Sequence, residues 1–201
     1  MRMIGLALLL LFVSIPAFAQ DIQLPEPQKT GGKPVFQALS ERQSIRNVAT
    51  DDLDLQTISD VLWAAYGFNR EDKRVIATTN NRQELMVFAV LKDATYFYDA
   101  KDNKLVLKAK GDHRVASAGQ EYANIAPLNI VYVADYAKGS DPVSAGIACG
   151  AAVQGVYLVC ASKEMASVIR TTIDKNEMKK ILNLADKQQV LAGQTVGKIA
   201  K

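Results

Sequence analysis

SAGIACGAAVQGVYLVCAS, residues 144–162, is the stretch on which the fold turns. It carries no charged side chain and is apolar or small on nearly every face, so it reads as a central helix that packs on more than one side. Such a helix needs layers around it. Upstream, Asn129 to Tyr136 reads as a buried strand, and Leu85 to Leu91 is almost wholly apolar, as a strand covered on both faces would be. Thr95–Tyr98 and Leu105–Leu107 alternate around Lys101-Asp102-Asn103-Lys104 and predict a hairpin. Downstream, Gln189 to Val196 is expected to be a closing strand. This interleaving predicts a layered α/β (α+β) domain.

The remaining helices carry punctuation. One is expected from Val35 to Glu41. In the next, Asp54 is the cap, Leu53 and Ile58 are spaced as a hydrophobic staple, and Leu55, Ile58, Val61, Leu62 and Ala65 form one apolar face. Gly67 is expected to end it in a left-handed conformation. Asp174 with Glu177 resembles a capping box for a short helix ending near Leu184.

Residues 1–19 read as a secretory signal peptide. Arg2 supplies the positive charge, Ile4 to Val13 the apolar run, and Pro16-Ala17-Phe18-Ala19 the small-residue cleavage site. The run is short for a membrane span. The expectation is an exported protein, periplasmic or secreted, with no stable membrane insertion after cleavage. Residues 20–33, polar and rich in Pro and Gly, are expected to form a flexible leader, and residues 34–201 a single domain.

Composition excludes several classes. The net charge of +3, with no dense basic stripe, does not suggest nucleic-acid binding. Cys149 and Cys160 lie about three turns apart on the predicted helix, too far for a disulfide, so two buried thiols are expected. His113, the single histidine, reads as a surface loop residue, and no metal-ligand spacing surrounds it. There is no G-x-S-x-G elbow, P-loop or G-x-G-x-x-G. The acidic pairs Asp51-Asp52 and Glu71-Asp72 read as caps or solvated loops. What remains is polar clusters without a catalytic side chain: Arg42-Gln43-Ser44-Ile45-Arg46 and Asn80-Asn81-Arg82-Gln83. Alone, the first run reads either as a solvated face or as an anion grip, since arginine suits phosphate through its planar fork. Together they suit a site in which a bound cofactor carries the chemistry.

In their order, these segments resemble the FMN-dependent nitroreductase family. Arg42-Gln43-Ser44-Ile45-Arg46 is similar to its R-x-S-x-R/K phosphate motif. Leu62-Trp63-Ala64-Ala65-Tyr66-Gly67-Phe68-Asn69-Arg70 resembles its LLWAAYGINR helix end. Ala77 to Gln83 resembles its P-S-x-x-N-x-Q loop, Gly150 to Leu158 its G-x-x-x-Q-N-x-x-L helix, and Gln194-Thr195-Val196-Gly197 its closing strand. The likeness is strongest to the compact branch that includes the peptide-azoline dehydrogenases, although their adjacent Lys-Tyr pair has no counterpart here.

The resemblance implies a three-layer sandwich with a central, mostly antiparallel sheet flanked by helices, and a homodimer with FMN at the subunit interface. Carried over, Arg42, Ser44 and Arg46 would hold the phosphate and ribityl end with Gln43 beside them, Arg46 alternatively reaching the ring edge, and Asn81 and Gln83 would face the ring. The Ile169–Thr172 segment, with Arg170 and Thr171, would offer a backbone N–H to the flavin. No catalytic side chain is required. The implied function is two-electron transfer to an electron-poor small molecule such as a nitroaromatic or quinone, with NAD(P)H as the usual donor. The alternative is a non-catalytic exported flavin- or ligand-binding protein of the same fold. Ala77-Thr78 replaces the family's Pro-Ser, Gly155 its asparagine, and only Lys198 and Lys201 stand where longer members carry a basic tail.

Overall fold

The computed structural model describes residues 20–201; the expected signal peptide lies outside the described residues. Seven strands form one sheet in which every neighbouring pair is antiparallel. Across it run β1 (Ile22–Gln23), β6 (Lys104–Lys110), β5 (Ala94–Asp99), β4 (Leu85–Val90), β7 (Leu128–Asp135), β9 (Gln188–Lys198) and β8 (Met165–Arg170). The hairpin falls where the alternation places it, with Tyr98 opposite Leu105.

Strand side chains point to opposite faces in turn, and here both faces are covered. From β4 and β7, Val87, Ala89, Ile130 and Tyr132 enter one core with Leu62, Ala152 and Val156 of the helices α2 (Leu55–Tyr66) and α5 (Pro142–Ser162). Phe88, Val90, Val131 and Val133 enter a second core with Met178 of α6 (Lys175–Ile181), on the face that also carries α3 (Arg114–Ala118). This two-sided burial is why both strands read as continuous apolar runs. The short α1 (Val35–Glu41) packs beside α5, and α4 (Glu121–Asn124) follows α3.

The central helix begins two residues before its expected start. Asp141 accepts the N–H groups of Val143 and Ser144, and Pro142, with no N–H to lose, opens the first turn. Its composition would let it cross a membrane, yet Ala145, Ala148, Ala152 and Val156 are fully buried in the domain. It is not covered all round: Val143 and Ile147 are 71% and 69% exposed. Gly155 is where it meets α2, and a Cβ there would lie 2.4 Å from the Ala64 carbonyl oxygen. The amide side chain that the resemblance expects at this position does not fit so close a crossing.

Several expectations need correction. Residues 20–33 are not a free leader: β1 pairs with β6, Leu24 is buried, Ser59 donates to the Pro25 carbonyl at 2.6 Å, and the Gln28 N–H donates to Asp60 at 2.7 Å. Asp60, itself buried, also pairs with Lys163 at 2.8 Å. Gly67 has extended, not left-handed, backbone (φ −66, ψ 173); glycine is needed because a Cβ would fall 2.1 Å from the Trp63 ring. Asp54 does cap α2, but Leu55, placed on its apolar face, is exposed. Asp174 accepts the Glu177 N–H, whereas its own N–H goes to Ala116, so only half the capping box forms. His113 is half-buried, its Nδ1 sharing a hydrogen bond with Thr95 Oγ1 at 3.1 Å.

Cys149 and Cys160 are buried, unbonded thiols, and burial pushes each up to about 12 from an ordinary value of 9.0. A thiol whose native pKa is raised stabilises the fold below its unfolded pKa and loses that contribution as pH rises toward the native one. Each titrating thiol is worth about 1.4 kcal/mol per pH unit. Urea unfolding should therefore show stability falling by about 2–3 kcal/mol between roughly pH 8 and pH 10. Replacing both cysteines by alanine should flatten that slope.

Candidate functional site

The candidate site lies along the free edge of the sheet, at β8. Helix α1 stops at Glu41 because Arg42 turns to an extended conformation (φ −59, ψ 122). The chain then runs beside β8, where the Ile45 N–H donates to the Ser167 carbonyl at 3.1 Å. Extended backbone alternates its side chains. Ile45 packs with Val48, Ala126 and Ala166, leaving Arg42, Ser44 and Arg46 on the opposite parity. Gln43 is exposed and lines a cleft of about 550 Å³ together with Arg42, Lys33, Glu41 and Met165.

Tyr157 of α5 organises this edge, and sequence reasoning missed it. Its hydroxyl accepts the Ile169 N–H at 2.9 Å and shares a hydrogen bond with Ser44 Oγ at 2.9 Å. The Arg42 guanidinium lies over its ring at 5.1 Å. One buried phenol thus joins the arginine run, the central helix and the edge strand. A hint was present: Tyr157 stands three residues after Gln154, within the quoted helix motif.

The charges are unevenly matched. Lys33 is neutralised by Glu41 at 2.6 Å and Glu164 at 3.1 Å. Arg42 and Arg46 form no ion pair among the described residues. The C-terminal residues run alongside: Val48 bridges Ile199, and the Ala200 N–H donates to the Asn47 carbonyl at 3.0 Å. Lys198 and Lys201 line a separate cleft with Thr50 and Asp51, not that of Arg42.

Asn81 and Gln83 lie elsewhere in the chain. Their loop, a 3-10 turn over Thr79–Asn81, holds Asn80, Asn81 and Gln83 at φ values of 52, 54 and 52, a region non-glycine residues enter rarely. The side chains secure it. Asn81 Nδ2 and Gln83 Nε2 both donate to the Asp72 carbonyl, at 3.2 and 2.8 Å, and Arg74 Nε donates to Gln83 Oε1 at 2.9 Å. Neither amide lines the cleft of Arg42. A single chain does not bring the two sets together.

The Arg170 side chain is fully engaged inside the domain, so Arg170 is left only the backbone role that the resemblance implies. It is buried, and it donates to Thr195 Oγ1, to the Ser117 and Ala118 carbonyls and to Asn129 Oδ1, at 2.6–3.0 Å. Desolvation lowers its pKa to about 10. It locks β8 to β9, β7 and the end of α3. Thr171, just beyond, is exposed at the C-terminal end of the edge strand.

The fold is a layered α/β sandwich with an unpaired cationic run beside its edge strand. A family model described as the nitroreductase family matches residues 39–198, and the chain belongs to that family. A protein from Ralstonia eutropha, named as a nitroreductase, is 29% identical and superposes with a TM-score of 0.84, covering 91% of each chain. One from Methanocaldococcus jannaschii, also so named, is 24% identical over 183 residues, 83% of this chain and 91% of its own length. A structure from Desulfovibrio desulfuricans, named as a nitroreductase in complex with FMN, shares the fold with a TM-score of 0.61 and 19% identity, covering 85% of this chain and 89% of that one.

Proposed function

We propose that this chain is an exported, FMN-dependent oxidoreductase that reduces an electron-poor small molecule such as a nitroaromatic or quinone. The observation that carries the reading is the edge at β8, where Arg42 and Arg46 lack counter-ions beside the Ser44 hydroxyl. That donor set fits a phosphate and a ribityl chain. Arg42, Gln43, Ser44 and Arg46 would hold the cofactor. The backbone around Arg170 and Thr171 would meet the ring edge. Bound FMN would supply two-electron chemistry, and the protein position and charge.

Two copies complete this site. Asn81 and Gln83 do not reach the arginine run in one chain, and a homodimer with the cofactor at its interface would bring the partner's loop to it. Val143 and Ile147 of α5, with Phe36 of α1 at 83% exposure, form the apolar surface such a dimer would cover. Export implies an electron donor available outside the cytoplasm, with NAD(P)H as the first candidate to try.

A second reading, a non-catalytic exported flavin binder, is favoured by one observation: both loop amides are already committed to Asp72 and Arg74. One experiment separates the two. Purified protein should be yellow, with absorbance at about 450 nm, and should bleach when NADPH is added without oxygen. Colour that survives NADPH and a panel of other donors selects the binder. Colourless protein that takes up no FMN contradicts both.

A further inference from the structure

A cavity of about 320 Å³ lies away from the β8 edge, behind the Asn81–Gln83 loop. Its centre is Arg74. The β2 (Phe68–Arg70) and β3 (Lys73–Arg74) hairpin places Arg74 opposite Phe68, and its guanidinium lies 3.8 Å from the Phe68 ring centroid and 4.3 Å from that of Tyr66. Arg74 Nε donates to Gln83, and Nη1 donates to the Tyr66 carbonyl at 2.9 Å. Nη2 has no protein acceptor among the described residues, and no carboxylate pairs with the guanidinium.

The acids in the wall hydrogen-bond elsewhere, although the Asp99 charge still acts on Arg74. Asp99 accepts the N–H groups of Lys101 and Asp102, and Asp135 accepts those of Ala137 and the Gln188 amide. Lys138 donates to the Gln83 carbonyl at 2.6 Å. Burial pushes the Tyr66 phenol up to about 12, so it stays neutral near pH 7 and supplies no counter-charge. Lys101 adds a second, exposed cation to the wall, and the rest of it is aromatic or apolar, with Phe97, Tyr98, Met86 and Val87. A half-buried cation with an unused donor, held between two rings in a cavity at the small end of the ligand-pocket range, is a built anion receptor.

We propose that this cavity binds a small aromatic carboxylate, with the carboxylate on the free side of Arg74 and the ring against the aromatic wall. The flavin reading is not needed for this site: none of the lining residues belongs to the β8 edge, and although Arg74 also secures Gln83, Ala100→Leu tests the cavity with that contact in place.

Calorimetric titration of the purified protein with benzoate tests it. Benzoate should bind saturably at one site per chain, and the neutral isostere benzamide at least about tenfold more weakly. Arg74→Met should weaken benzoate by at least about tenfold, and Arg74→Lys by less, because the charge stays while the fork is lost. Ala100→Leu, which narrows the cavity without touching the arginine, should also weaken it and guards against loss of the hairpin in Arg74→Met. Equal binding of benzoate and benzamide, benzoate affinity unchanged in Arg74→Met and Ala100→Leu, or no saturable binding up to about 10 mM would overturn the proposal.

Discussion

Arg42→Ala should weaken FMN binding by about 2–3 kcal/mol, a factor of about 30–150 in Kd, while global stability stays within about 0.5 kcal/mol. The affinity loss follows from removing a charge-assisted, two-pronged donor that has no carboxylate partner in the protein. The small stability effect follows from the same fact: Arg42 is half exposed, and its one visible contact is the face of Tyr157 at 5.1 Å. Arg42→Lys should recover part of the affinity, since it keeps charge but not the fork. Flavin fluorescence titration of wild type and both variants, with urea unfolding of each, measures the two quantities. An unchanged affinity in Arg42→Ala would show that the phosphate lies elsewhere.

Arg170→Ala should have the opposite signature, a stability loss of about 3–5 kcal/mol with no dependence on added flavin phosphate. The side chain makes four hydrogen bonds to neutral groups on β7, on β9 and at the end of α3. Truncation strands the Ser117 and Ala118 carbonyls in a water-free interior and leaves Asn129 Oδ1 with only the Thr195 hydroxyl as donor, which costs more than the net worth of the bonds themselves. Arg170→Lys should lose nearly as much, because one ammonium group cannot reach acceptors on three elements. The urea midpoint should fall while the m-value holds. A variant of normal stability but weakened flavin binding would make the Arg170 side chain a ligand and contradict this assignment.

These two arginines show what the chain discloses in one dimension and what it withholds. The layered core was legible because β4, β7 and α5 are covered on both sides, so their apolar runs are unbroken and local. Strand β8 was not legible as a strand. It follows α5 with no Gly or Pro to mark the turn, because Glu164 itself takes the left-handed conformation at φ 56. The packed leader was hidden for a different reason: its partners are Asp60 and the β5–β6 turn at Asn103, tens of residues away, while its own composition is that of a linker. Gly67 carried the residue type of a helix stop but served the Trp63 ring. Arg42 and Arg170 look alike in sequence, and only the fold shows one cation unpaired on an edge and the other caged in neutral oxygens. Tyr157 escaped notice because a tyrosine on an apolar helix reads as core, which it also is.

The central claim is that the Arg42-x-Ser44-x-Arg46 edge grips a flavin phosphate. The most direct measurement is titration of flavin-stripped protein with FMN and, in parallel, with riboflavin, which differs only by that phosphate. The account predicts saturable binding of one FMN per chain, with riboflavin weaker by at least about 100-fold. Equal affinity for the two, or no binding of FMN, would contradict it.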